Sequence, residues 1–341
     1  MELKEYKLNM RIFHSQREAR RGFLKKSFVF LGALAAPSTY AASSQSVSSS
    51  KPKGIDRIVD IHVHFDEHNP AYFEDIVKVG EPLNLSACVL TPYKDREATI
   101  RAVEKYPGRI LPLGLIDMDD PDAPKQVEDF HRLGYRGLGE LEWVKKPFTD
   151  PAYMPIYELA NSYEWVILFH TGVVTYRVFD QAIRPGQPEN VAAYRMRAFH
   201  LEEIGRRFPK ITAIGAHCGN PEYDWAAETA RWNPNVFFDL SGTTLVKMRG
   251  RLEQFRDYFW WSDSDPWEGT AQPENNTSAF AKLVFGSDAG FGWHSHRTLH
   301  TVIPEQIRRY QELFAACDVP ASAQRLIMGG TLAKIFKLPE A

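Results

Sequence analysis

The amino-acid sequence predicts a single (β/α)8 TIM barrel, an α/β fold, and three observations carry that expectation. Short apolar runs rich in β-forming residues alternate with amphipathic stretches almost to the C-terminus. Eight such runs are present, the number that closes a parallel sheet on itself. Within each run the apolar character is nearly continuous, as in parallel strands covered on both faces by helices.

The candidate strands are residues 57–65, 85–91, 110–117, 135–143, 165–171, 211–218, 236–241 and 283–288. Between them lie helix-like segments, among them 96–106, 124–133, 155–162, 191–208 and 222–231. The rhythm breaks between the seventh and eighth strands. There, residues 251–278 carry Trp260, Trp261 and Trp267 among acids and then a polar stretch, 272–278. This reads either as a long connection over the barrel mouth or as an insertion packed on the outside.

Two further parts precede the barrel domain, 55–338. Residues 1–42 contain the adjacent Arg20 and Arg21, a Phe23-Leu24 pair, an apolar run from Ser27 to Ala36, and small residues as far as Ala41 and Ala42. That order describes a signal peptide, and the paired arginines point to twin-arginine (Tat) export. An apolar run of about ten residues is too short for a bilayer core that needs about 20. Cleavage near Ala41 or Ala42 and no stable membrane anchoring afterwards are therefore expected. The Tat translocase would be a transient partner, and the destination periplasmic or otherwise exported. Residues 43–54, rich in Ser, Pro and Lys, read as a flexible linker.

Of the 41 Lys/Arg and 43 Asp/Glu residues, eight and three respectively lie in 1–42. The remainder therefore holds 33 basic and 40 acidic residues, a net charge of −7, which argues against a nucleic-acid partner. The three cysteines, Cys88, Cys218 and Cys317, are odd in number and without paired spacing, so free thiols are expected.

In barrels of this type the chemistry sits at the C-terminal ends of the strands. The first strand ends with His62 and His64, which share one face because they are two residues apart. Alone, such a pair fits a satisfied core as well as a metal. Strand four ends with Glu140 and Glu142, strand five with His170, strand six with His217 and strand eight with Asp288. Four histidines and three acids converging on one mouth describe a metal site.

This pattern resembles the amidohydrolase superfamily. The nearest branch in pattern is the amidohydrolase-related one, which includes aminocarboxymuconate-semialdehyde decarboxylase and related carboxy-lyases. Further likeness lies in Arg207-Phe208-Pro209-Lys210, in Ala216-His217-Cys218-Gly219 and in the ending Gly329-Gly330-Thr331-Leu332-Ala333-Lys334-Ile335-Phe336, so that it spans residues 57 to 338. The resemblance implies that His62, His64, His170 and Asp288 hold one divalent cation, Zn2+ foremost. It places His217 beside the ion, to orient or deprotonate water or to polarise a substrate oxygen, and makes Asp288 a proton carrier. The implied activity is attack by a metal-bound hydroxide on an amide, lactone or ester bond of a small molecule.

Glu140 departs from the simplest version of this set. Two-metal hydrolases of the superfamily usually carry a carbamylated lysine or a glutamate at the end of strand four, and here Lys145 and Lys146 fall beyond that end. A buried carboxylate needs a cation or a proton. Glu140 therefore binds or bridges metal, or orients a ligand histidine, or pairs with a barrel arginine such as Arg136. If it bridges, a second ion enters with His217 as its ligand, an arrangement resembling the deoxyribonuclease-like branch, which the acidic charge disfavours.

Substrate-binding candidates lie on the loops beyond the strand ends: Trp143 after strand four, Tyr176 and Arg177 after strand five, and Trp293, His294 and His296 after strand eight. Arg177 suits a substrate carboxylate through its planar fork. The loop histidines, His300 included, lack an acid or cysteine partner in sequence and read as polar loop residues. Tyr93 and Asp117 are weaker pocket candidates. The leading function is a metal-dependent hydrolase. The alternatives are a metal-dependent non-oxidative carboxy-lyase and a non-catalytic periplasmic metal- or ligand-binding protein. Sequence leaves open the identity of the small-molecule substrate and whether the chain forms a homo-oligomer.

Overall fold

Strands that are apolar along their whole length bury both faces, and the eight apolar runs do so by forming one parallel sheet in sequential order. The computed structural model describes residues 51–173, 193–259, 279–290 and 298–339, which belong to one compact unit, 47–341. The strands are β1 Ile58–His64, β2 Leu85–Pro92, β3 Ile110–Leu115, β4 Gly137–Leu141, β5 Val166–His170, β6 Thr212–Ala216, β7 Val236–Asp239 and β8 Leu283–Val284. Each falls on an expected segment, and every neighbouring pair is parallel. The ring closes where backbone amides of Ile61 and His64 donate to the carbonyls of Phe285 and Ala289 (3.1 and 2.7 Å), and that of Asp288 to His62 (2.9 Å). The fold is a (β/α)8 barrel.

The described helices are α1 Tyr72–Gly80, α2 Arg96–Lys105, α3 Ala123–Arg132, α4 Met154–Ser162, α5 His200–Arg207, α6 Tyr223–Trp232, α7 Thr244–Met248, α8 Gln254–Phe259, α9 Leu299–Ala316, α10 Ala321–Arg325 and α11 Thr331–Ile335. In α5 the buried residues His200, Leu201 and Ile204 share one face. The acids Glu202 and Glu203 sit in its first turn and Arg206 and Arg207 in its last, complementing the helix dipole. The expected helix over 191–208 is shorter than its pattern suggested: a 3-10 turn over Ala193–Met196 precedes α5, and residues 191–192 lie outside the described residues. Of the anomalous stretch 251–278, α8 is helical and 260–278 lie outside the described residues.

Two apolar clusters hold the barrel. The larger packs helices on the outer face of the sheet. The smaller fills the lumen with Ile61, Leu90, Leu113, Leu168, Ile214 and their neighbours. Leu168 shares its strand face with His170 by alternation, so the lumen side chains form the floor beneath the strand ends. Leu332 of α11 and Phe336 just after it join this cluster. Cys88, Cys218 and Cys317 are free and buried. Among the described residues no helix is long and apolar enough to cross a membrane.

Candidate metal centre

Local irregularity turns the strand ends inward. The β1–β2 register shifts between Asp60 and Val63, and the β4–β5 register between Leu138 and Leu141. Shifts of this kind re-aim the side chains that follow. Gly139 has φ +130°, and a Cβ there would lie 2.5 Å from the Leu168 carbonyl oxygen. Only glycine lets β4 come that close to β5 just before Glu140.

The result is two donor sets that share Glu140. In the first, His62 Nε2 lies 3.1 Å from His64 Nε2, 3.2 Å from Glu140 Oε2 and 3.6 Å from Asp288 Oδ1. His64 Nε2 lies 3.5 Å from Glu140 Oε2 and 3.3 Å from Asp288 Oδ1. A tetrahedral ion with bonds of 2.0–2.1 Å separates its ligands by about 3.3 Å. These five separations lie close to that spacing. In the second set Glu140 Oε1 lies 2.8 Å from His170 Nδ1 and 3.3 Å from His217 Nε2. These three residues also bring one donor atom each within 4.8 Å of the others. His170 Nε2 is buried with no hydrogen-bond partner among the described residues.

Behind the imidazoles runs a network that sets their orientation. His62 Nδ1–H donates to Asp239 Oδ2 at 3.0 Å; a carboxylate can only accept, so Nε2 is left to face the other donors. Asp239 Oδ1 accepts the backbone N–H of His217 (2.8 Å) and of Ser241 (2.9 Å). The Ser241 hydroxyl lies 2.9 Å from His217 Nδ1 and 3.1 Å from His62 Nδ1. Asp239 and Ser241 are in turn held by α9. Tyr310 accepts the Leu240 N–H (2.8 Å) and donates to the Val284 carbonyl (2.9 Å), while Gln306 donates to the Leu240 carbonyl (2.9 Å). One helix thus fixes the ends of β7 and β8 together.

Electrostatics ties the cluster into one unit. Burial works against the His62 imidazolium, but Glu140, Asp239 and Asp288 overcome it and push its pKa well above the usual histidine range. Burial likewise opposes His217, and Glu140 outweighs it, raising the pKa to about 9. Burial raises Glu140, yet the His62 and His170 charges hold it well below the usual carboxylate range. Against burial, Asp288 is lowered by His62, His64 and His217, and Asp239 by His62, His217 and Ser241. Glu142 differs: burial and then the Glu140 charge push it up. Acids held ionised beside histidines held protonated are a site in which a divalent cation can replace protons. Divalent-metal binding is thus supported by this donor set.

The five expected metal ligands, His62, His64, Glu140, His170 and Asp288, and the expected catalytic residue His217 converge at the mouth. Their donor atoms fall into two groups, His62, His64 and Asp288 in one and Glu140, His170 and His217 in the other. Arg136 does not pair with Glu140; its Nη2 donates to the Phe336 carbonyl at 3.0 Å. Trp143 is exposed at the end of β4. Arg177, Tyr176, Trp293, His294 and His296 lie outside the described residues. His300 is the second residue of α9 rather than a loop residue, and its Nε2 faces an acid, Asp75 Oδ1, at 3.9 Å. Tyr93 hydrogen-bonds Asp129. Sequence reasoning missed Asp239 and Ser241. The signal was present, since Asp239 ends β7 as the other site acids end theirs, but neither carries a recognisable motif.

The comparisons with known proteins bear on the fold and the family. No curated protein matches the sequence. Among solved structures, a probable 2-pyrone-4,6-dicarboxylic acid hydrolase from Acinetobacter baumannii, with citric acid bound, is similar at 14% identity and a TM-score of 0.53, covering 83% of this chain and 100% of its own. The 5-carboxyvanillate decarboxylase of Novosphingobium aromaticivorans, complexed with manganese and 4-hydroxy-3-methoxy-5-nitrobenzoic acid, is similar at 11% identity and a TM-score of 0.54, covering 86% of this chain and 100% of its own. At such identities the likeness is one of fold, and it extends to a hydrolase and a decarboxylase alike. The amidohydrolase family model matches residues 89–338, and with the barrel and its strand-end donors in place the chain belongs to the amidohydrolase family.

Proposed function

We propose that the protein is a metal-dependent hydrolase that cleaves an amide, lactone or ester bond of a small molecule. The observation that carries this reading is Glu140, whose Oε2 faces His62 and His64 while its Oε1 faces His170 and His217. Its carboxylate would bridge two ions, one held by His62, His64 and Asp288 and the other by His170 and His217. The donor types and spacings suit Zn2+. A bound divalent ion supplies Lewis acidity, lowering the pKa of water and polarising a carbonyl oxygen.

The chain's own residues supply the rest. Asp288 turns Oδ1 towards His62 and His64, leaving Oδ2 on the side of Gly242. Oδ2 takes the proton of the attacking water and passes it to the departing nitrogen or oxygen. Asp239 and Ser241 keep the His62 and His217 rings from rotating. A cavity of about 350 Å3 opens just past the ends of β5 and β6, lined by Gly172, Val173, Tyr194, Gly219, Pro221 and the Arg197–Glu222 ion pair, with Gly172 and Gly219 two residues beyond His170 and His217.

The second reading is a non-oxidative carboxy-lyase. It is favoured by the completeness of the first donor set, which needs neither His170 nor His217 to hold one ion. One experiment separates the two. A substrate screen that follows both CO2 release and acid or amine release supports hydrolysis if only the latter appears. Metal analysis of the wild type and Glu140→Ala adds the ion count; one ion in both would sink the bridging arrangement. We further propose that residues 1–42 direct twin-arginine export to the periplasm. N-terminal sequencing of protein from the periplasmic fraction should begin near Ser43, and an intact Met1 there would refute it.

A further inference from the structure

The end of the barrel away from the metal centre carries a second recess of different chemistry. A cavity of about 420 Å3 opens at the N-terminal end of β1, lined by Asp56, Arg57, Arg325, Lys334 and Lys337 among others. At about 3.3 Å per residue along β1 it lies roughly 20 Å from His64. Its walls come from both ends of the barrel domain, and glycine brings them together. A Cβ on Gly329 would lie 2.7 Å from the Arg57 carbonyl oxygen and 2.9 Å from the Val59 nitrogen, so a bare backbone is needed where the turn before α11 meets β1. The segment after α11 is pinned by two arginines: Arg57 Nη1 donates to the Pro339 carbonyl (2.5 Å) and Arg136 Nη2 to that of Phe336 (3.0 Å). Lys337 closes the helix with φ +53°, the position at which glycine is the usual residue. A lysine beside the cavity takes that place instead.

Four cations thus line one recess against a single acid. Arg57 is half-buried, and Arg325, Lys334 and Lys337 are exposed. Among the described residues no carboxylate ion-pairs with any of the four. Elsewhere on the surface, Arg206, Arg207 and Lys210 meet Glu202, Glu203 and Glu164 at 3.0, 3.0 and 3.1 Å. The concentration of positive charge also runs against the net negative charge of the chain beyond residue 42. Like charges gathered without counter-charges repel one another, and an anion in the recess relieves that repulsion. A lone carboxylate brings one charge, whereas a phosphate brings close to two and three acceptor oxygens, which suit the guanidinium fork and the lysine ammoniums together. The volume falls within the range of small-molecule sites, about 300–1,000 Å3. We propose that this cavity binds a phosphate group, at a site separate from the metal centre and independent of the reaction run there.

Calorimetric titration of the metal-loaded protein with inorganic phosphate tests this. Any phosphate taken up at the metal centre contributes equally in each variant, so the comparison reads the cavity alone. Arg325→Gln/Lys334→Gln should weaken the cavity's binding about tenfold. Lys78→Gln/Lys105→Gln, which removes the same charge from α1 and α2, should leave it unchanged. Co-sedimentation with phosphatidylglycerol and phosphatidylcholine vesicles distinguishes the source of the phosphate. Binding to the former alone, displaced by inorganic phosphate, assigns the site to a lipid headgroup. Phosphate binding without vesicle binding assigns it to a free phosphate compound, and either result supports the site. Equal phosphate affinity in the wild type and in Arg325→Gln/Lys334→Gln would overturn the proposal. So would an equal loss in both double variants, which would reduce the effect to net charge.

Discussion

Asp239 and Ser241 act on an ion without standing among its donors. Asp239 is fully buried, accepts from His62 directly and fixes the backbone on either side of the β6 and β7 ends. Carboxylates that orient ligand histidines commonly matter 10–100-fold for metal affinity. Asp239→Asn should therefore weaken Zn2+ binding by about that factor in a chelator competition assay, and Ser241→Ala by less; wild-type affinity in Asp239→Asn would show that the ring orientation is set elsewhere. His217 allows a second prediction. Its pKa rises from the ordinary histidine value of 6.5 to about 9 in the folded protein, burial being outweighed by Glu140. The stability this contributes to the metal-free protein is full below the unfolded pKa and is lost as pH rises through about 9. Thermal melts of metal-free protein should fall between those limits, and His217→Asn should flatten the fall. A melting profile equally steep in the variant would refute the assignment.

At the scale of elements, the strands were legible because burial on both faces leaves few polar residues to interrupt them; β5, Val-Ile-Leu-Phe-His, is buried throughout. The same logic located His62, His64, His170 and Asp288, since a polar residue at the end of such a run stands out. What could not be read is which donors share a partner. That depends on the register shifts in β1 and β4 and on Gly139, which together place Glu140 between His62 and His170. Asp239 escaped notice for a related reason: the role of a carboxylate behind a histidine depends on a distance across the barrel, 177 residues apart in sequence. The last helix plays a part that periodicity did not suggest, as Leu332 is wholly buried in the lumen cluster. Leu332→Ala should cost about 2–5 kcal/mol, measured by denaturant unfolding, and leave the metal content unchanged. Loss of metal with unchanged stability would mean that α11 supports the site rather than the floor.

For the whole molecule, the barrel supplies a scaffold whose mouth gathers ionisable groups from six of its eight strand ends, and a bound cation changes the balance of all of them at once. Ligands that bind only the folded state stabilise it by about 2.7 kcal/mol at a hundredfold excess over Kd. Two sites of different affinity should therefore raise the melting temperature in two steps as Zn2+ is added, each by several degrees for a domain of this size. Glu140→Gln removes the shared charge, leaving His62, His64 and Asp288 for one ion and two histidines for the other. In that variant the second step should disappear and the first should shift to higher metal concentration. Each binding event should also release protons, because histidines held protonated by the acids must give up the nitrogen that the ion takes. Proton release can be read in the same titration by repeating it in buffers of different ionisation enthalpy. A single step in the wild type, with the same proton count in Glu140→Gln, would reduce the centre to one ion and return Glu140 to the role of orienting a histidine. Protein lacking residues 1–42 should behave identically in every arm, since all six donors belong to the barrel.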